Sequence, residues 1–232
     1  MKSISIPAFI LSFGIALSGF FIAYAVLDSR QKTRVVQVKG LSERIVKSNV
    51  AQWNLLFNLM NNDLGTLYQS INKSQQAVKS FLIKQGFNPD EISVNPVTVI
   101  DNQNVTYNTG TTPIRFSASA GISLTTSQVD KVLRSIQKTS DLVQSGIVVT
   151  SSNASYSFTQ LNDIKPAMLD EATSNAKIAG MSFAKNAESQ LGSIKRARQG
   201  VFIISDANSN YDSGMSVMKK VRIVTTVDYF LE

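Results

Sequence analysis

The chain has 232 residues, enough for one domain with a sizeable core or for two small ones. It contains no cysteine, which excludes disulfides, thiolate metal sites and cysteine nucleophiles, and no histidine, the usual general base, common zinc ligand and middle member of most hydrolytic triads. Lysine and arginine number 23 against 16 acidic residues, a net charge of +7 that attracts anionic lipid, acidic polymers or nucleic acid without choosing among them.

The first element is an uncharged apolar run from Ile4 to Leu27, ISIPAFILSFGIALSGFFIAYAVL. At 1.5 Å per residue about 20 residues cross a bilayer core, and the run lacks the polar side that a buried core helix carries. Residues 1–29 are therefore expected to be a membrane anchor or signal segment, and residues 30–232 the domain that follows. A cleaved signal peptide competes, because Lys2 makes a minimal positive n-region and "AYA" at Ala23–Ala25 fits a small-x-small cleavage site near Ala25. The run is longer than a usual h-region, which favours an uncleaved single-pass anchor contacting the bilayer through residues 4–27. Arg30, Lys32 and Arg34 follow it directly and by charge counting would lie in the cytoplasm, so orientation stays open at this level.

Strand pairs then alternate with helices. Val35–Lys39 and Ile45–Leu59 read as strands joined by a charged bend, KGLSER, with Ala51, Trp53, Leu55, Phe57 and Leu59 sharing one face at period 2. A helix runs from an Asp63 N-cap to Gly86 at C′, with Leu64, Leu67, Ile71, Val78 and Leu82 as its apolar stripe. Strands are expected at Ile92–Ile100 and Ile114–Thr125, joined by an exposed Asn-rich loop over Asp101–Thr112. A second helix starts near Ser127 with Val129, Val132, Leu133 and Ile136 inward, followed by short strands at Ile147–Ser151 and Ser155–Thr159.

The third helix, over Asp163–Ser189, sets Met168, Ala172, Ala176, Ala179, Phe183 and Ala187 in one narrow stripe that suits close packing on a sheet. Pro166 is expected in its first turn, where a missing N–H costs little. Strands at Ile194–Ile204 and Val217–Leu231 finish the chain, and Gly86, Gly146 and Gly192 each close a helix. The fold class expected is α+β: antiparallel strand pairs alternating with three helices packed on the sheets, preceded by one N-terminal transmembrane helix.

Few residues are arranged for chemistry. Asp206, Asn208, Asn210 and Asp212 imitate positions 1, 3, 5 and 7 of a calcium loop, but Tyr211 and Val217 stand where its glycine and bidentate glutamate belong, which favours a polar hairpin loop. Asp170 and Glu171 are adjacent on a helix, point about 100° apart and cannot converge on one atom. "NVT" at Asn104–Thr106 and "NAS" at Asn153–Ser155 match a short glycosylation triplet of little specificity. Lys39, Glu43 and Arg44 around Gly40 offer an acid/base pair, against a polar connection whose glycine serves a positive φ or a bulge; the second is favoured. Basic clusters at Arg30–Arg34, Lys195–Arg198 and Lys219–Arg222 lack interleaved aromatics, which argues for a solvated face and against nucleic acid. No catalytic, cofactor-binding or metal residue is assigned, and no cofactor.

Three segments in order resemble the SIMPL-domain family: VQVKGLSERIVKSNVAQW, then LNDIKPAMLDEATSNAKIAGMSFAKNAESQLGSIKRARQGVF, then the C-terminal VRIVTTVDYFL. The resemblance implies an α+β domain on the non-cytoplasmic side of a bacterial inner membrane, in proteins that look like non-enzymes. Some members assemble into ring- or cage-like homo-oligomers, and the family supplies no catalytic residues. The leading expectation is thus a membrane-anchored periplasmic scaffold that self-associates. A module binding an anionic ligand, lipid or cell-wall polymer through the basic clusters, Lys195, Arg196 and Arg198 among them, and the Asn-rich loop at Asp101–Thr112 comes second, and an enzyme using Lys39 or Glu43 comes third.

Overall fold

The computed structural model describes residues 5–31, 34–104 and 114–232, with side chains described at 10–25, 34–103 and 114–232. Helix α1 covers Ser5–Gln31, and its described side chains from 10 to 25 are all exposed. Among the described residues no helix is long and apolar enough to cross a membrane. The transmembrane helix expected at the N-terminus thus finds no counterpart among the described residues.

Beyond α1 the expectation of antiparallel sheets with helices holds, but the described residues form five α-helices including α1, where three and an anchor were expected. The chain forms two compact units, each built from separated segments: Met1–Glu43, Asn162–Ile203 and Arg222–Glu232 in the first, Arg44–Leu161 and Ile204–Val221 in the second.

In the second unit β2 (Val50–Asn61) is a central strand. It pairs antiparallel with β5 (Phe116–Thr126) in unbroken register from Ala51↔Thr126 to Asn61↔Phe116. On its other side lies β6 (Val149–Ser157), with a bulge between Leu56 and Phe57. β3 (Ile92–Val94) and β4 (Thr98–Asp101) both pair with β5, completing a five-stranded sheet of order β3-β5-β2-β6. The expected single strand Ile92–Ile100 is split because Pro96 cannot donate to a ladder, and the two short strands expected around Ser155 are one.

Helix α2 (Leu64–Lys84) covers this sheet, its N-cap Asp63 accepting from the Thr66 amide at 2.7 Å. The period-2 face of β2 is buried as expected, and Trp53 packs edge-on against Phe81 of α2 with ring centroids 6.5 Å apart. Leu67, Ile71, Val78 and Leu82 are buried with Phe81, whereas Leu64 lies outside the stripe. The helix expected from Ser127 is two pieces, α3 (Val129–Ile136) and α4 (Ser140–Gln144). Tight i→i+3 bonds from the amides of Lys138 and Thr139, and the Thr139 hydroxyl on the Ile136 carbonyl, replace the α-helical ladder between them. Leu133, expected inward, is exposed. Gly86 and Gly146 do take positive φ, 88° and 79°, at their helix ends.

The other sheet has the order β1-β9-β7, with β8 also on β9; the strands are β1 (Val35–Lys47), β7 (Leu191–Gln199), β8 (Ile203–Asp206) and β9 (Met218–Leu231). Two corrections follow. KGLSER is no bend, since β1 runs straight through it and the break falls at Ser48–Asn49. Nor do β1 and β2 pair, as they belong to different sheets.

Helix α5 (Leu161–Asn186) starts earlier than expected, so Pro166 sits past its first turn and leaves one carbonyl without a helical donor. Its buried side is Met168, Ala172, Ala176, Gly180 and Ala184, spaced by four throughout. Of the expected stripe beyond Ala176, Ala179 is half-buried and packs on the core of Val38, Val227 and Tyr229, whereas Phe183 and Ala187 are exposed; Gly180, against Leu191 and Tyr229, and Ala184 are buried instead. Gly192 closes no helix, and Glu188 takes the left-handed conformation at the end of α5 with φ 54°.

Candidate functional site

The charged segment on β1 was the strongest candidate for chemistry. Its side chains alternate, with Val38, Gly40 and Ser42 buried and Lys39, Leu41 and Glu43 exposed. On an extended strand Lys39 and Glu43 stand about 13 Å apart along the backbone, so they form no acid/base pair. Glu43 instead meets the Arg222 guanidinium on β9 at 3.3 Å.

The buried side is a docking seam for α5. A Cβ on Gly40 would overlap the Ala172 carbonyl oxygen and the Ala176 amide nitrogen, so only glycine lets the helix backbone come this near. The φ of Gly40 is not positive, which corrects the left-handed conformation expected as one role for it. Two polar stitches flank it. Buried Ser42 donates to Glu171 Oε2 at 2.9 Å, and Asn175 Nδ2 donates to the Leu41 carbonyl at 2.8 Å. Asp170 and Glu171 are both exposed, as expected of charges flanking the alanine stripe.

The calcium-like segment is the connection between β8 and β9, and it encloses a cation of its own. Lys219 is fully buried, with Nζ 2.8 Å from Asp206 Oδ1 and 2.6 Å from Asp212 Oδ1. Asp206 Oδ2 accepts from both the amide and the hydroxyl of Ser213. Hydrogen bonds from Lys219 and Ser213 hold the Asp206 carboxyl well below the usual carboxylate range, against the smaller opposing effect of burial. Burial alone would lower the Lys219 pKa; hydrogen bonds to Asp206 and Asp212, with their charges, raise it on balance. The ammonium therefore fills the place the acidic pattern suggested for a metal. Among the described residues no group of three or more His, Cys, Asp or Glu is placed to hold a metal ion.

Sequence reasoning missed this lysine, although one signal pointed to it. Lys219 is in phase with Val221, Ile223, Thr225, Val227 and Tyr229, the buried face of β9.

The basic residues Lys195, Arg196 and Arg198 lie on β7, at an edge of its sheet, and all three are exposed. Arg196 stands opposite Asp228 in the ladder, and Lys195 Nζ lies 5.7 Å from the centre of the Phe230 ring. Val105 and Thr106 of the first triplet and most of the Asp101–Thr112 loop fall outside the described residues. Asn153, in the second triplet, lies on β6 with its amide on the Ser151 hydroxyl at 3.0 Å.

Antiparallel sheets and an alanine-faced helix seated on a strand glycine define an α+β domain. Residues 36–226 match the SIMPL family, described as a protein of unknown function (DUF541), and the chain belongs to that family. No curated protein matches it.

Proposed function

We propose that this is a non-enzymatic, single-pass protein of a bacterial inner membrane. Its SIMPL domain stands in the periplasm and self-assembles into a large homo-oligomer as an envelope scaffold. One observation carries the anchor: Ile10, Leu11, Phe13, Phe20, Phe21 and Tyr24 of α1 are all exposed, on every side of the helix. A helix that is apolar all round gains nothing from water, whereas a bilayer accommodates it. The unbroken apolar sequence from 4 to 27 supports the same reading. The non-enzymatic part draws on the separation of Lys39 and Glu43 and on the lack of histidine and cysteine. Assembly rests on the likeness to SIMPL proteins that form rings or cages. The test is the mass of the mature N-terminus together with particle size in detergent. An intact N-terminus in particles many times 25.3 kDa is expected. Cleavage near Ala25, leaving a protein secreted to the periplasm, would remove the anchor, and a monomer over a wide concentration range would remove the scaffold.

The exposed β7 supports a second reading, a module that binds anionic lipid or cell-wall polymer through Lys195, Arg196 and Arg198. Salt-sensitive retention on such material, lost when the three are neutralised, is its expected result.

A further inference from the structure

The sheet of the first unit has one face against α5 and one open face. Val38 and Gly40 of β1 and Val227 and Tyr229 of β9 point at the helix. By strand alternation Gln37, Lys39 and Leu41, which are exposed, and Thr226, Asp228 and Phe230, which are half-buried, point the other way.

Strand β7 turns its cations onto the same open face by means of a bulge. Strict alternation would send Lys195 and Arg196 to opposite faces. The ladder slips between them, so that Ile194 stands opposite Tyr229 and Arg196 opposite Asp228. Lys195, the extra residue, then joins Arg196, with Nζ over the Phe230 ring at 5.7 Å. Arg198, opposite Thr226, completes the set.

Acids on this face do not balance them. Glu43 is engaged by Arg222, the Gln37 amide donates to Asp228 Oδ1 at 2.8 Å, and Glu232 stands at the end of β9. Lys39, Lys195, Arg196 and Arg198 thus outweigh Asp228 and Glu232. Cations spread over a flat sheet suit a surface of many phosphates better than one small ion.

The chain itself identifies that surface. Helix α1 ends at Gln31 and β1 begins at Val35, so the connection holds that end of the sheet within about 14 Å of the helix. The Leu231 amide donates to the Arg34 carbonyl at 3.0 Å, and Leu191 pairs with Leu231. Strand β7 therefore starts at the same end, and Lys195 and Arg196 lie near it.

We propose that the open face lies on anionic phospholipid of the membrane that α1 enters, with Lys39, Lys195, Arg196 and Arg198 against headgroup phosphates. The proposal rests on α1 being an anchor, and it narrows the second functional reading from any anionic material to lipid.

The test is amine labelling of the full chain in phosphatidylcholine nanodiscs, with and without phosphatidylglycerol, read lysine by lysine by mass spectrometry. Lys177, exposed on α5 behind the other face, is the reference. Phosphatidylglycerol should cut the labelling of Lys39 and Lys195 about fivefold and leave Lys177 unchanged, and high salt should reverse the effect. Arg196→Gln together with Arg198→Gln alters only exposed side chains and should restore the labelling of Lys195. A chain that does not enter the discs removes the anchor and the proposal together. Entry with equal labelling in both lipids overturns the proposal and leaves the anchor standing. Protection by soluble cell-wall fragments, with none from phosphatidylglycerol, overturns it in favour of the polymer.

Discussion

Lys219 is the residue whose removal the second unit should tolerate least. Lys219→Met leaves Asp206 and Asp212 facing each other without their cation, and breaking one side of a buried pair is costly. Because the Asp212 side chain is 38% exposed, water softens the penalty, and we expect a loss of about 2 kcal/mol in urea unfolding. The same pair sets a pH dependence. Asp206 has a depressed folded-state pKa, so its contribution is present above the ordinary carboxylate value of about 4 and is lost as pH falls below it. Lys219 has a raised one, so its contribution is complete below its ordinary value of about 10.5 and lost as pH climbs through the folded value. The urea midpoint should be flat between these limits and fall on both sides. Lys219→Met should lower the plateau and flatten the acid limb; an acid limb as steep as wild type would show that Asp206 is not governed by Lys219. The lysine's phase along β9 was readable in the sequence. Its partners were not, because Asp206 lies 13 positions upstream and the loop conformation brings it back.

At the scale of elements, the seam between β1 and α5 is the sharpest test. Gly40→Ala would set a methyl against the backbone of Ala172 and Ala176, which no rotamer change can relieve. We expect a cost of about 3 kcal/mol, seen as a lowered thermal midpoint by far-UV circular dichroism. An unchanged midpoint would mean that the helix does not sit this close. Ser42→Ala is a milder probe of the same seam. It removes the donor to exposed Glu171, which water can replace, and should cost about 1 kcal/mol or less. The alanine spacing of α5 was legible from sequence because helix period and side-chain volume are local properties. Its phase past Ala179 was not, since Gly180 and Ala184, not Phe183 and Ala187, continue the buried side, and the contacts of Gly180 with Leu191 and Tyr229 decide that. The break between α3 and α4 escaped for a similar reason, as the apolar spacing continues across it while the Thr139 hydroxyl takes a carbonyl from the ladder.

For the whole molecule, the proposed anchor makes a direct prediction. Removing residues 1–29 should move the protein from the membrane to the soluble fraction, with the buried emission of Trp53 unchanged, because Trp53 belongs to the core of the second unit. If the truncated chain still sediments with membranes, another surface holds it there, and the exposed basic strand β7 becomes the one to neutralise.

The sequence by itself determined the family, the α+β class, the inward face of β2, the Asp63 cap and the glycine ends of α2 and α4. All of these follow from side-chain period, cap chemistry and backbone sterics within a few residues. Tertiary structure decided that β1 pairs with β9 while β2 pairs with β5 and β6, and that a strand continues through KGLSER. It decided as well that Gly40 makes room for Ala172 and Ala176 of a helix far along the chain, and that a lysine occupies the acidic loop. Those outcomes depend on which distant segment fills a given face, and no local pattern encodes the partner.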